Sequence, residues 1–364
     1  MSLPDLPPRA RLPLLLLAMA GLVGGVLAGL ARLGWPVPAL AAQAVGVHSA
    51  LMIAAFFGTV ISLERAVALG RGWAYGAPLV AGLSGIFLLL GGSTVAIGLN
   101  AMAAGLLVLA SHVAHQRQPA LHGKILLLGA ACWLAGTLVW LGTGNPVAAT
   151  PAWLLFLILT IAGERLELTR FLPTPESARH GFVGIVILLI GSSLMAAFDD
   201  TGMRGFGLGC LLLALWLLIY DIARRNIRLN GLPRFVAACL LGGYGWLALG
   251  GLLGLAGAFS PGHPWRDAAL HAIALGFVLA MVFGHAPIIV PAVMRIRIAY
   301  HPVLYLPLAL LHLGLALRVG GVLLDKLPAH AGLFNALTLI VFVVTLLSRI
   351  ERGRSIHAKT GVTG

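Results

Sequence analysis

Two histidines, His48 and His271, each lie a few residues inside the outer end of a long apolar stretch of the chain. Placing an imidazole at membrane depth costs free energy, so a histidine in such a position often marks a functional site. Neutral imidazole is an axial ligand for haem iron, and two imidazoles from facing helices can hold one porphyrin between them. The pair therefore predicts a cofactor site, although each histidine alone could equally be a hydrogen-bonded residue of the core.

Three further residues near the outer ends of apolar stretches belong to this hypothesis. His312 lies in the eleventh apolar stretch, Arg318 follows it at the outer end, and Arg266 immediately precedes the tenth stretch. Haem carries two propionates, and the planar guanidinium of arginine pairs with carboxylates and keeps its charge when partly buried. We therefore expect haem b between His48 and His271, with His312 nearby and with Arg318 and Arg266 as its carboxylate partners.

Two more histidines, His285 and His301, form a second group near the inner ends of their helices. His285 lies 14 residues after His271, which is about 21 Å along a helix that rises about 1.5 Å per residue. The two cannot share one metal ion. With copper as the other candidate cofactor, the residues predicted to ligate a metal are His48, His271, His285 and His301.

The elements that must position these side chains are membrane-spanning helices. The chain has 364 residues, 60% of them hydrophobic and only 10% charged, with a mean hydropathy of +1.00. It therefore has too little polar surface for a water-soluble protein of this size.

Each apolar run of the sequence is close to the ~20 residues that cross a bilayer as a helix, and none alternates polar and apolar residues as a strand of a membrane barrel does. We predict an all-α, polytopic membrane protein of about twelve transmembrane helices, with residues 1–364 as one integral membrane domain. The segments are 12–31, 41–63, 76–93, 95–111, 123–142, 147–163, 182–198, 203–220, 233–257, 267–286, 302–319 and 331–348.

The distribution of basic residues predicts the orientation of the chain. Of the 24 Lys and Arg residues, 19 fall on the side of the amino terminus and in alternate loops, and a short basic tail occupies 350–364. By the positive-inside rule both termini are cytoplasmic, in a bacterial-type inner membrane. The net charge of +13 then reflects contact with the headgroups of the lipid bilayer. No nucleic-acid partner is expected, because the basic residues are spread over every inner loop and no nucleic-acid-binding motif is present.

A weak internal repeat bears on the arrangement of the helices. The second segment ends with Glu64-Arg65, the sixth ends with Glu164-Arg165, and the tenth ends with His285-Ala-Pro. A spacing of four segments suggests three four-helix units around a pseudo-threefold axis, with these three helices in equivalent places. The alternative is that the Glu-Arg pairs are ordinary anchors at the membrane interface.

At this point the pattern resembles a known group of proteins. Twelve spans, a histidine on the second and tenth spans and an arginine after the eleventh are similar to subunit I of haem-copper oxidases and nitric oxide reductases. The segments HSALMIAAFFGTVISLER (48–65) and HAIALGFVLAMVFGHAP (271–287) more closely resemble the NnrS-like membrane proteins, a family linked to haem, copper and the response to nitric oxide. The resemblance implies that His48 and His271 are low-spin haem ligands and that Arg318 pairs with a propionate.

Departures from that pattern limit the function that the resemblance implies. The tenth span has His271-Ala-Ile in place of His-x-His, the sixth has no histidine, and the seventh has no His-His pair. A high-spin haem with a copper partner, and with it oxygen reduction, is therefore not expected. What remains is an inner-membrane haem- or metal-binding protein in electron transfer, with a redox partner, or in a nitric oxide related stress response.

Two other classes of function are compatible with the sequence. A proton-coupled secondary transporter is the main alternative, since twelve spans with cytoplasmic termini are typical of such carriers. In that reading His271, His285, Glu64 and Glu164 would be the protonation sites. A non-catalytic assembly or scaffold protein is the third reading. The sequence does not indicate the oligomeric state.

Overall fold

The computed structural model describes residues 5–169, 172, 174–323 and 328–351. Within these ranges the chain is helical, with no β-strand, and twelve helices are long and apolar enough to cross a membrane. The protein is therefore a multi-pass membrane protein, as the hydropathy predicts. The helices are α1 (Pro8–Arg32), α2 (Ala50–Leu69), α3 (Gly72–Leu89), α4 (Ser93–Arg117), α5 (Leu121–Thr143), α6 (Pro146–Thr169), α7 (Glu176–Met195), α8 (Asp200–Tyr220), α9 (Leu232–Leu255), α10 (Arg266–Met294), α11 (Pro302–Val322) and α12 (His330–Leu347).

Short connections join consecutive helices, so neighbouring helices run in opposite directions. We call the face that holds the start of α1 the terminal face and the other side the opposite face. The predicted basic tail at 350–364 lies, from residue 352 onward, outside the described residues. Which face meets the cytoplasm stays a prediction from the basic residues.

Local sequence signals explain where several helices begin and end. Proline occupies the first turn of α1 and of α9, where the missing amide hydrogen would have had no helical partner. Gly70 and Gly144 end α2 and α5 with φ of 64° and 66°, a left-handed conformation that glycine adopts without steric cost.

Two helices differ from their predicted limits. α10 continues to Met294, although the sequence predicts an end near Pro287. Both Pro287 and Pro291 lie inside the helix, as neighbouring helices in a membrane protein allow. α2 begins at Ala50, because a short helix (Ala39–Ala42) and a single 3₁₀ turn (Val45–Val47) occupy the part of the chain before it.

The centre of the bundle is formed by α2, α6 and α10, each of which contacts the other two. Every side chain of α6 from Trp153 to Leu159 is buried, so this helix is surrounded by protein on all sides. Exposed leucine, isoleucine and valine side chains of the surrounding helices instead face outward, where lipid would cover them.

The ends of α2 and α6 meet near the terminal face. The carboxyl groups of Glu64 and Glu164 lie close enough to interact electrostatically, and Arg65 and Arg165 lie beside them. The two Glu-Arg pairs therefore lie side by side, as expected if α2 and α6 occupy equivalent places in a repeat. The threefold repeat of four-helix units itself stays a prediction.

Candidate cofactor site

A cavity of about 570 Å³ lies near the opposite face, between the central helices and α1, α11 and α12. We call it the histidine cavity, because both His48 and His271 line it. Its volume falls within the range of about 300–1,000 Å³ that is typical of small-molecule and cofactor sites. Most of its wall is apolar, including Leu154 and Leu157 of α6.

The imidazoles of His48 and His271 face each other in this cavity. Their ring centroids lie 6.4 Å apart and their planes differ by 29°. A metal ion midway between two imidazoles has each ligating nitrogen about 2.0–2.1 Å away, which separates the ring centroids by about 6 Å. The spacing of the pair therefore fits one metal centre held from two sides.

Hydrogen bonds orient both rings. Nδ1 of His48 lies 2.7 Å from the backbone oxygen of Gly25, and Nδ1 of His271 lies 2.8 Å from that of Asp267. A carbonyl oxygen only accepts hydrogen bonds, so each Nδ1 carries the proton and donates it. With the proton on Nδ1, the neutral form of either ring carries its lone pair on Nε2, the nitrogen that a metal would bind.

The backbone around each histidine is unusual in the same way. Eight residues of π-helix follow His48 (Ala50–Phe57), and eight follow His271 (Ala272–Leu279). π-helical turns are rare and occur frequently at functional sites, because the extra residue changes the direction of the side chains around it. The two proposed ligands thus share a local geometry as well as a cavity.

Close packing against α1 fixes the ring of His48. A β-carbon placed on Gly29 would lie 2.9 Å from Cε1 of this ring, so only glycine leaves enough room. The next turn of α1 supplies the Gly25 oxygen that accepts the Nδ1 proton. One helix face therefore sets both the position and the tautomer of His48.

The charged side chains that line the cavity are Arg32, Arg266, Asp267 and Arg318. Among the described residues that line the cavity, three guanidinium groups accompany one carboxylate, an excess of two positive charges. A ligand with two carboxylates, such as haem, would complement this charge. These arginines come from three different helices, α1, α10 and α11.

Arg318 and Arg266 lie at the cavity, but each already has a protein partner. Nη1 of Arg318 donates to Oδ2 of Asp267 across 2.6 Å, and Arg266 donates from Nε to the backbone oxygen of Phe259 across 3.1 Å. Arg318 is only 5% exposed, and its Nε makes no hydrogen bond. Both arginines keep further donors for a ligand.

The sequence analysis missed three residues of this site. Arg32 and Asp267 line the cavity, as does Asn335, whose side-chain amide is buried and makes no hydrogen bond. The signal for Asp267 was present, since it precedes His271 by four residues and so lies on the same helix face. Nothing in the sequence pointed to Asn335.

The other predicted histidines lie elsewhere. Nδ1 of His312 accepts a hydrogen bond from Nε1 of Trp246 across 2.8 Å, and its ring packs against Gly242 on α9. The structure therefore does not bring His312 to the pair. His301 lies at the start of α11, where its Nδ1 accepts from the backbone amide of Val303.

His285 lies near the terminal face, with both of its ring nitrogens engaged. Nδ1 donates to the backbone oxygen of Met281 across 2.7 Å, and Nε2 lies 3.0 Å from Nη2 of Arg165. Among the described residues, no three His, Cys, Asp or Glu side chains converge in a group that could hold a metal ion. A site made of two histidines and a macrocycle needs no third protein ligand.

Comparison with known proteins adds the family and no function. The model of a family described as a domain of unknown function, DUF8744, matches residues 11–350. No curated protein and no solved structure matches the chain.

Proposed function

The chain belongs to the DUF8744 family, and from the geometry of the histidine cavity we propose that it is a membrane protein that binds haem b through His48 and His271. The observation that carries this proposal is the facing pair of imidazoles, 6.4 Å apart, in a cavity of about 570 Å³. The charge of the cavity supports it, because the excess of two positive charges among its described lining residues matches two propionates.

Within this proposal the residues of the chain hold and orient the cofactor. His48 and His271 would each supply Nε2 as a ligand, and their Nδ1 hydrogen bonds keep the rings from rotating. Bound haem would supply a one-electron redox centre. Because His48 and His271 would both hold the group, the arrangement favours electron transfer with a redox partner over binding and conversion of a substrate at the metal. A role in the response to nitric oxide would then depend on electron delivery.

Copper is the competing cofactor for the same pair. Imidazole is a good copper ligand, and the thioether of Met52 lines the same cavity, but among the described residues no group of three His, Cys, Asp or Glu side chains forms around the two rings. Metal analysis of the purified protein separates the two. Iron at one atom per chain with an extractable porphyrin supports haem, and copper without porphyrin contradicts it.

The main test is a reduced-minus-oxidised absorption spectrum of the protein and of three variants. A sharp b-type band is expected for the wild type, and His48→Ala and His271→Ala are expected to lose it. His301→Asn is the matched control, because asparagine can still cap the start of α11. A folded wild-type protein without the band, or histidine variants that retain it, would contradict the proposal.

A second candidate function, proton-coupled transport, rests on a different observation. Glu64, Glu164, Arg165 and His285 lie at the meeting point of the three central helices, away from the histidine cavity. Ionisable groups placed between spanning helices often take part in proton movement. Proton-driven uptake by vesicles that depends on Glu164, together with a silent redox spectrum, would favour transport.

The distribution of basic residues supports one orientation of the chain in the membrane. The terminal face carries most of the basic residues, so it is expected to lie in the cytoplasm of a bacterial-type inner membrane, with both termini inside. Labelling of single cysteines from outside the cell tests this. Asn145→Cys on the opposite face is expected to react, and Gln118→Cys on the terminal face is not.

A further inference from the structure

Asp267 connects two residues of the histidine cavity. Its backbone oxygen accepts the Nδ1 proton of His271 across 2.8 Å, and its Oδ1 lies 3.2 Å from the same nitrogen. Its other carboxylate oxygen, Oδ2, accepts from Nη1 of Arg318 across 2.6 Å. The guanidinium, the carboxylate and the imidazole therefore form one continuous chain of contacts.

The two histidines of the pair differ in this respect. The Nδ1 hydrogen of His48 meets only the neutral backbone oxygen of Gly25. That of His271 meets both the backbone oxygen and the carboxylate of Asp267, which lies one helix turn earlier. The environment is thus asymmetric, although the rings face each other across one cavity.

A carboxylate beside the distal nitrogen of a metal-bound imidazole has a known physical effect. It polarises the N–H bond, makes the ligating nitrogen more basic and stabilises the more positive state of the metal. A cation paired with that carboxylate opposes the effect by drawing its charge away. The basicity of the ligating nitrogen of His271 therefore depends on how strongly the Asp267 carboxylate interacts with His271 and how strongly with Arg318.

We propose that Asp267 and Arg318 are positioning residues that set the electron donation of His271, with Arg318 acting through Asp267. The proposal rests on the proposed function, because it assumes a metal centre at His271. It also changes the role of Arg318, which the sequence analysis assigned to a propionate. The short contact with Asp267 shows that Arg318 has a carboxylate partner in the chain itself.

The first experiment measures the midpoint potential of the bound haem. Asp267→Asn removes the negative charge and keeps an oxygen for Arg318, so reduction is expected to become about tenfold more favourable, about 59 mV for a one-electron couple. Arg318→Met leaves the carboxylate unpaired and is expected to shift the potential in the opposite direction. Arg318→Lys keeps the charge and is expected to remain near the wild type.

The double variant decides whether Arg318 acts through Asp267. In the Asp267→Asn background, Arg318→Met is expected to have less than half the effect that it has alone, because residues in one network are not additive. An equal shift in both backgrounds would mean that Arg318 acts directly on the cofactor, and it would overturn the proposal. Asp199→Asn, at the exposed cap of α8, is the control and is expected to leave the potential unchanged.

A second measurement separates this proposal from the haem proposal. In haem-free protein labelled with ¹⁵N-histidine, the Nδ1 signal of His271, assigned by its loss in His271→Gln, is expected to shift in Asp267→Asn while that of His48 stays in place. Absence of haem with this shift would contradict the proposed function and leave the contact chain intact. An unmoved His271 signal would overturn the role of Asp267.

Discussion

Arg165 on α6 donates a hydrogen bond to Nε2 of His285 on α10 across 3.0 Å. Arg165 is only 4% exposed, and it also interacts electrostatically with Asp221, which is 2% exposed, in the connection after α8. One buried guanidinium near the terminal face therefore interacts with α10 and with the connection after α8. Burial raises the pKa of the Asp221 carboxyl, and the positive charge of Arg165 opposes that rise.

Replacing Arg165 by methionine is expected to destabilise the fold strongly. The change removes the positive charge that stabilises the buried carboxylate of Asp221, and it removes the donor to Nε2 of His285. Leaving a buried polar group without its partner costs about 1–3 kcal/mol. Chemical unfolding in detergent micelles measures the loss. Arg204→Met, at an exposed position on α8, is the control, and an equal small effect of both changes would argue against a stabilising role of Arg165.

The loss in the Arg165 variant is also expected to depend on pH. Without its cation, Asp221 has a folded pKa above its unfolded value, so the penalty is fully present above the folded pKa. It is relieved as the pH falls through the folded pKa and protonation removes the charge. The stability difference between wild type and variant, measured from neutral pH downward, is expected to shrink. A constant difference across that range would show that the lost charge pair is not the cause.

His285 gives a separate prediction about the metal site. Its two ring nitrogens are engaged by Met281 and Arg165, so His285→Gln, whose amide oxygen can still accept from Arg165, is expected to leave the bound metal and haem unchanged. The sequence analysis placed His285 among the metal ligands. Metal content measured by mass spectrometry decides, and a loss in the variant would restore that assignment.

The twelve spans and the pairing of His48 with His271 could be predicted from the sequence, for one physical reason. Long apolar runs must cross the membrane as helices, and an imidazole in such a run is costly enough to stand out. Depth along each helix follows from its rise per residue. Both histidines lie at the start of helices that run in the same direction, so the sequence predicts their common depth. The contact between α2 and α10 then places them side by side.

The rest of the site could not be predicted, because depth says nothing about rotation about the helix axis. His312 was expected at the cavity from its depth, but α11 turns it toward Trp246 on α9. The π-helical stretches after His48 and His271 change the direction of the side chains that follow, and the apolar sequences of these stretches carry no signal for them. The partner of Arg318 was likewise invisible, because Asp267 lies on another helix.

Gly29→Ala tests the packing that holds His48. The new β-carbon would lie 2.9 Å from Cε1 of the ring, so either the imidazole or α1 must move. Such overpacking costs about 1–3 kcal/mol, and haem affinity is expected to fall by about tenfold if the ring moves. A haem titration of the purified variant measures the change.

Gly98→Ala on α4 is the matched control for this variant. A β-carbon there meets no atom within 4 Å, so haem affinity and stability are expected to stay at wild-type values. If Gly29→Ala also binds haem with unchanged affinity, the ring of His48 is not constrained by α1 and the ligand geometry described above is wrong.

The mouth of the cavity gives the last prediction. Arg32 and Arg266 line it from α1 and α10 and interact electrostatically with each other, and Arg32 is exposed. If haem propionates lie between them, each arginine contributes about 0.2–1 kcal/mol, as partly exposed ion pairs do. The double change Arg32→Ala with Arg266→Ala is therefore expected to weaken haem binding by several-fold.

Because exposed charges are screened, added salt is expected to weaken haem binding to the wild type more than to the double variant. Arg204→Ala, on the same face but absent from the cavity wall, is expected to change neither the affinity nor its dependence on salt. Equal affinities and salt dependences in all three proteins would place the propionates away from these arginines and would reverse the orientation inferred for the cofactor.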